Sequence, residues 1–292
     1  MNELSPRPRG PLWFWRIVQC SLTRLLLMGA VFVLLIGVSN GFREQLSSRP
    51  WLALAVAVGM AALGLAIYLV FVRWIEWRRA TELALSKAGP EWGAGVLMGA
   101  GLYTLGVLIL MIPGIYRIGG LNPWSSLLPA AAVAVSSGVL EEILYRGLLF
   151  RIVEETLGSW IAVAVSSLVF GVSHLLNPQA TVIGALAISV EAGLLLAAAY
   201  LLTRRLWLGI GLHMAWNYTQ SGIFSGVVSG ATSEPGLIQS AIEGPEFLTG
   251  GAFGLESSLV PFLLCTTAGA ILLVKAIRRG HIMPPLWKRK NP

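Results

Sequence analysis

Residues 51–73 read WLALAVAVGMAALGLAIYLVFVR, an apolar stretch with no charged residue before Arg73. A helix needs about 20 consecutive apolar residues to cross the hydrocarbon core of a bilayer. Because lipid offers no partners to backbone N–H and C=O groups, such a stretch must be helical. The strands of a membrane barrel would alternate polar and apolar residues over about half this length, and this sequence shows no such alternation.

Similar apolar stretches lie on both sides of this one. They cover residues 19–39, 93–112, 126–149, 158–176, 179–202, 206–224 and 257–277. Of the 292 residues, 55% are hydrophobic and only 12% are charged, and a soluble chain of this composition could not cover its core with polar surface. The sequence therefore predicts an all-α, polytopic transmembrane helix bundle of about eight spans.

The chain divides into three parts around its central spans. Residues 1–125 hold three N-terminal spans, residues 126–224 hold four spans, and residues 225–292 hold a loop, the last span and a basic tail. Arg7, Arg9 and Arg16 precede the first span as in a signal peptide, but no A-x-A cleavage site follows, so we expect this span to be retained. The 225–256 loop is rich in Gly and Ser, and an ordinary connecting loop is favoured over a lid.

The net charge of +7 could indicate a nucleic-acid partner, but its distribution favours a membrane. With eight spans and both termini on one side, that side holds Arg73, Arg78, Arg79, Lys87, Arg204, Arg205, Lys275, Arg278, Arg279, Lys288, Arg289 and Lys290. The opposite side holds Arg43, Arg49 and Arg117 together with Glu234, Glu243, Glu246 and Glu256. Since cytoplasmic loops carry the excess of Lys and Arg, we expect both termini to lie in the cytoplasm. We expect the protein to lie in the plasma or inner membrane of a prokaryote. Its expected partners include membrane lipids and exclude nucleic acid.

Ionisable side chains within the spans are candidate functional groups, because each costs about 2.5–3.5 kcal/mol to insert. They are Glu141, Glu142, Arg146, His174, Glu191 and His213, with Asn217 beside the last. Glu142 and Arg146 are four residues apart, so they share a helix face and can pair. Glu141 lies about 100° away around the helix and has no partner on its own face, which suits a general base. A polar packing network between helices is the structural alternative.

Two further pairs repeat the four-residue spacing. Phe170 precedes His174, and His213 precedes Asn217. A membrane histidine can be an interhelical hydrogen-bond donor, but a base, two histidines and an amide are together the parts of a hydrolase that attacks a carbonyl with water. Asn177-Pro178 should break the chain after the fifth span. In this topology the two histidines start at different depths, and we expect a pocket near mid-depth that opens to the cytoplasm.

Other catalytic patterns fit the sequence less well. The chain has no G-x-S-x-G motif, no H-E-x-x-H motif and no Gly-rich phosphate loop. Its two cysteines, Cys20 and Cys265, form neither a disulfide framework nor a metal motif. Glu141, His174 and His213 could still bind a divalent metal such as zinc as a two-histidine, one-carboxylate site.

Three ordered motifs resemble those of one membrane protease family. Residues 141–146, EEILYR, resemble its E-E-x-x-x-R motif, residues 170–174, FGVSH, its F-x-x-x-H motif, and residues 213–217, HMAWN, its H-x-x-x-N motif. The family is the CAAX protease and bacteriocin-processing (CPBP) intramembrane proteases, which include the type II CAAX prenyl endopeptidases. The likeness covers roughly residues 126–224.

The resemblance implies a role for each residue. Glu141 would activate the attacking water, and His174 would hold that water and move its proton. His213 and Asn217 would form the oxyanion hole.

The remaining motif residues would support this site. Glu142 and Arg146 would form an orienting pair, and Phe170 would line the pocket, whereas Glu191 lies outside the motifs and is considered only as a supporting partner. The metal-free mechanism is the adopted interpretation, so no cofactor is expected, with zinc as the alternative.

The predicted activity is intramembrane hydrolysis of a peptide bond, in a peptide or membrane-protein substrate with or without a lipid group. A non-catalytic membrane scaffold or an immunity-type protein with the same fold is the alternative. A proton-coupled transporter ranks lower because no inverted repeat is visible.

Overall fold

A computed structural model describes residues 12–232 and 235–289. Arg7, Arg9, Glu234 and Lys290, which entered the charge argument above, lie outside the described residues. The helices are α1 Leu12–Val18, α2 Ser21–Gln45, α3 Pro50–Trp74, α4 Ala88–Met111, α5 Leu127–Glu142, α6 Arg151–Leu157, α7 Ser159–Ser173, α8 Val182–Ile188, α9 Leu194–Thr203, α10 Trp207–Asn217, α11 Glu246–Thr249 and α12 Leu259–Arg278.

Three π-helical segments extend or join these helices. Ile143–Phe150 connects α5 to α6, Ser189–Gly193 connects α8 to α9, and Tyr218–Ile223 continues α10. A π-helical turn widens the helix and is frequent at functional sites. Here the first such segment begins directly after Glu142.

Among the described residues, seven helical stretches are long and apolar enough to cross a membrane. They are Ser21–Gln45, Pro50–Trp74, Thr81–Met111, Trp124–Leu157, Ser159–Leu176, Val182–Thr203 and Leu259–Arg278. The predicted all-α polytopic bundle is therefore confirmed. The remaining predicted span, 206–224, is a shorter helix made of α10 and its π-helical end.

The short helix α10 lies inside the bundle and packs closely against α4. A Cβ atom on Gly99 would lie 2.3 Å from the backbone oxygen of Leu212, and one on Gly95 would lie 2.3 Å from that of Leu208. Small residues at this four-residue spacing let two membrane helices approach with their backbones almost in contact. Because its neighbours are protein and not lipid, α10 does not need the full length of a bilayer span.

One end of the bundle, here called the basic face, consists of residues 75–87, 151–159, 204–206 and 279–289. An ion pair connects these segments to the start of α2, where Arg24 lies 2.8 Å from Glu76. Another joins two of the segments to each other, with Arg204 2.5 Å from Glu154. Arg205 also pairs with Glu91. These contacts place on one end of the molecule the segments that the charge pattern predicts to be cytoplasmic.

The opposite end, here called the sheet face, consists of residues 46–49, 112–123, 177–181, 224–232 and 235–258. It holds a two-stranded antiparallel sheet of β1, Tyr116–Leu121, and β2, Ile238–Ile242. The sequence did not predict these strands, because each is short and the register is interrupted near Gly120. The 225–256 segment is thus partly structured and packed, more than an ordinary connecting loop would be.

Candidate active site

A cavity of about 670 Å³ extends from mid-depth in the bundle to the sheet face. Glu141, His174, His213 and Asn217 all line it. The structure therefore brings together the four residues that the sequence proposed as catalytic, although they come from α5, α10 and the end of α7.

Glu142 and Arg146 form a fully buried ion pair behind this cavity. Arg146 Nη1 donates to Glu142 Oε1 at 2.9 Å, and the two side chains are 0% and 1% exposed. Arg146 Nη2 also donates to the backbone oxygen of Gly193 at 3.3 Å, which connects the π-helical segment after α5 to the one before α9. The four-residue spacing thus produces the pair that the sequence predicted.

His213 connects this pair to the cavity. Its Nδ1 donates to Glu142 Oε1 at 3.1 Å, because a carboxylate oxygen can only accept. Its Nε2 lies 4.0 Å from Oε2 of Glu141. The Glu141 side chain is 16% exposed, and its buried Oε2 has no hydrogen-bond partner among the described residues. Glu141 therefore presents an unused acceptor beside an imidazole nitrogen.

His174 reaches the cavity because α7 ends just before it. Helix α7 stops at Ser173, a short 3-10 turn covers His174–Leu176, and Asn177 is extended before the proline, so the chain breaks where the sequence predicted. His174 Nδ1 donates to the backbone oxygen of Phe170 at 2.7 Å. In the neutral ring Nε2 then carries the lone pair and can accept a proton.

Phe170 does not line the large cavity but lies buried behind it. Its ring centroid is 4.8 Å from the Arg146 guanidinium carbon, 4.8 Å from the His174 ring and 5.9 Å from the His213 ring. Phe170 lines a smaller cavity beside His213 and is also a packing centre, because its electron-rich ring face is attracted to the buried guanidinium. Phe170 thereby fixes the distance between the two histidines.

Two hydrogen bonds at the site were not anticipated from the sequence. Asn217 Nδ2 donates to Ser137 Oγ at 2.9 Å, and Tyr145 Oη donates to Ser173 Oγ at 2.7 Å. Ser137 precedes Glu141 by one helical turn on α5, so the four-residue spacing could have indicated that Ser137 lies at the site. Because a side-chain amide has two N–H groups, Asn217 keeps one donor for another partner.

A second, much smaller cavity of about 30 Å³ lies beside His213 and Asn217. Glu191 and Glu256 also line it, and each has one carboxylate oxygen without a hydrogen-bond partner in the described chain. Among the described residues, no hydrogen bond or ion pair joins Glu191 to the four residues of the large cavity. Glu256, from the segment predicted as an outer loop, is nearly fully buried, and that burial raises its pKa. No sequence signal indicated that this segment folds back so deeply.

Metal binding was the alternative use of Glu141, His174 and His213. Within residues 12–232 and 235–289, no group of three His, Cys, Asp or Glu side chains is arranged to hold a metal ion.

The cavity opens on the sheet face and not on the basic face. Its outer lining includes Arg43 of α2, Ser126 before α5 and Thr232, all at the sheet face. No residue of the basic face lines it. The sequence predicted that the pocket opens to the cytoplasm and that both termini are cytoplasmic. These two expectations conflict, because the cavity opens at the end of the bundle opposite the basic face. Helix α5 begins at the sheet face, and Glu141 lies near the inner end of this helix.

Comparison with known proteins identifies the region that carries the site. Residues 123–219 match the family model described as type II CAAX prenyl endopeptidase Rce1-like. The match includes all of the motif residues from Glu141 to Asn217. No curated protein and no solved structure matches the chain.

Proposed function

We propose that the chain is a membrane-embedded endopeptidase that hydrolyses a peptide bond with a water activated by Glu141, a proposal supported by the match of residues 123–219 to the type II CAAX prenyl endopeptidase Rce1-like family model. The observation that carries the proposal is the unpartnered Glu141 Oε2, which faces His213 Nε2 at 4.0 Å in a cavity large enough for a peptide. The family match supports peptide hydrolysis in general, and the roles below extend it to single residues.

Glu141 is the proposed general base. A water can donate a hydrogen bond to Glu141 Oε2, because this oxygen has no hydrogen-bond partner among the described residues. Glu141 would take one proton of this water as the water oxygen attacks the carbonyl carbon of the peptide bond. General base catalysis of this kind contributes about 10²- to 10⁴-fold to a rate.

His174 is the proposed proton carrier. Its Nδ1–H is held by the carbonyl of Phe170, so Nε2 is the nitrogen available for exchange. It would receive the proton and return it to the leaving amine, so that the products are a carboxylic acid and an amine.

Asn217 and His213 are the proposed donors to the tetrahedral oxyanion. Asn217 keeps one N–H after its bond to Ser137, and this bond fixes the amide orientation. His213 already donates Nδ1–H to Glu142, so it can donate from Nε2 only when both ring nitrogens carry protons. The two neighbouring carboxylates, with only Arg146 to balance them, attract that additional positive charge.

Glu142 and Arg146 position this arrangement without touching the substrate. Glu142 Oε1 accepts from both Arg146 Nη1 and His213 Nδ1, so one carboxylate oxygen fixes the histidine relative to α5. A non-catalytic scaffold would need the ion pair for packing but would gain nothing from Glu141. Its unpartnered carboxylate therefore favours an enzyme over a scaffold.

The test compares protein termini in membrane fractions of cells that express different variants. Wild type should generate new termini that Glu141→Gln does not generate. Glu243→Gln is the matched control, because Glu243 is an exposed carboxylate on the sheet face, 3.7 Å from Arg117 and far from the cavity. The same new termini in Glu141→Gln cells as in wild-type cells would contradict the proposal.

A further inference from the structure

The depth and direction of the large cavity define the side from which a substrate can enter. Glu141 and His213 lie at its inner end, and Asn40, Arg43 and Thr232 lie near its mouth. At the basic face the structure is closed by side-chain contacts, such as those of Arg24 with Glu76 and Glu155. In the described part of the chain, this cavity gives a peptide access to Glu141 from the sheet face or from the adjoining lipid.

The charges identify which face lies in the cytoplasm. In the described chain, the basic face and the helix ends beside it carry Arg16, Arg24, Arg73, Arg78, Arg79, Lys87, Arg151, Arg204, Arg205, Lys275, Arg278, Arg279, Lys288 and Arg289. The sheet face carries only Arg43, Arg49 and Arg117 among its described residues. Cytoplasmic loops close to membrane helices carry the excess of Lys and Arg. This asymmetry places the basic face in the cytoplasm and the sheet face outside it.

We infer that the cavity opens on the extracytoplasmic side of the membrane and receives peptide segments of exported or membrane proteins that are exposed there. This inference rests on the proposed function and adds the substrate class to it. A lipidated tail that ends in the cytoplasm would face the closed basic face. The inner cavity is lined by Val133, Leu140 and Leu144, and its mouth carries polar groups, which suits an extended peptide with an apolar side chain near the cleaved bond.

The chain supplies its own reporter for the opposite side. Cys20 is exposed at the basic face, and backbone N–H groups of Leu22 and Thr23 lower the pKa of its thiol, which favours reaction with maleimides. Cys265, the other cysteine, is buried in α12 and should stay unlabelled in the folded protein.

The experiment uses a membrane-impermeant maleimide on intact cells and on inside-out membrane vesicles. Thr232→Cys in a Cys20→Ser background reports on the cavity mouth, and wild type reports on Cys20. We expect Thr232→Cys to be labelled in intact cells and Cys20 to be labelled only in inside-out vesicles. The reverse pattern would overturn the inference. Both measurements are repeated with Glu141→Gln, because sidedness does not require activity.

Cleavage sites provide the second readout. Termini that depend on Glu141 should map to extracytoplasmic segments of their parent proteins, and a majority in cytoplasmic segments would overturn the substrate class even if the enzyme is active. Labelling as expected without any Glu141-dependent termini would instead overturn the proposed function, and with it the substrate class.

Discussion

Replacement of Arg146 by methionine should destabilise the protein by about 3–5 kcal/mol, the usual cost of removing one partner of a buried ion pair. The Glu142 carboxylate, 1% exposed, would lose the guanidinium that donates to it at 2.9 Å. The backbone oxygen of Gly193 would lose a donor as well, and the Phe170 ring would lose the guanidinium 4.8 Å away. Each of these losses acts on a group that water does not reach.

The double variant Glu142→Gln with Arg146→Met separates the charge from the packing. Replacing both members of a buried pair by neutral residues of similar size is often close to neutral for stability. Gln keeps an oxygen that can accept from His213, so the double variant should recover most of the stability that Arg146→Met loses. The coupling between the two changes should therefore be several kcal/mol.

The assay is reversible unfolding of the purified protein in mixed micelles by titration with a denaturing detergent, followed by tryptophan fluorescence. Wild type, both single variants and the double variant complete the cycle. A cost below about 1 kcal/mol for Arg146→Met, within the range of an exposed pair, would refute the reasoning, as would a double variant no more stable than that single variant.

Three other changes test separate parts of the molecule. Asn217→Leu should lower kcat by about 10²- to 10³-fold with little change in KM, as the loss of an oxyanion donor does. Ser137→Ala should lower kcat less, because it only frees the orientation of the Asn217 amide. If both variants changed KM and left kcat unchanged, this role of Asn217 would be excluded. Gly99→Leu should give no folded protein in size-exclusion chromatography, because even a Cβ atom at this position would meet the α10 backbone. Gly101→Leu has open space around it and should fold normally. Equal yields of folded protein from the two variants would contradict the contact between α4 and α10. Because burial raises the pKa of Glu256, the folded state binds its proton more tightly than the unfolded state, so the stability of wild type should fall as the pH rises above the ordinary glutamate pKa. In unfolding titrations, Glu256→Gln should be as stable as wild type at acid pH and more stable than wild type at alkaline pH. Identical pH profiles of stability for the two proteins would contradict the assignment.

The spans and the four proposed catalytic residues could be predicted from the sequence because both depend on local rules. Hydropathy over a bilayer-length window identified the long helices, including Pro50–Trp74. The four-residue spacing identified Glu142 with Arg146, because helix geometry alone brings them together. The cost of burying charge then selected Glu141 and the histidines as functional groups.

The features that the sequence did not predict depend on packing between distant segments. Glu256 enters the centre only because residues 235–258 fold back onto α10, where Trp216 donates to its carboxylate, and no local pattern encodes that path. The role of Phe170 as a packing centre depends on the position of Arg146 on another helix. To predict the end of the bundle at which the cavity opens, one must know the relative depths of α5 and α7 in the membrane. The predicted boundaries of the spans do not give these depths.

The most direct measurement of the central claim is single-turnover cleavage of an identified client by the purified protein in ¹⁸O-labelled water. Wild type should place one ¹⁸O atom in each new carboxyl group, and Glu141→Gln should lower the rate by at least about 10²-fold while it unfolds at the same denaturant concentration. A Glu141→Gln protein that cleaves the client at the wild-type rate, with the same ¹⁸O incorporation, would contradict the assignment of Glu141 as the base that activates water.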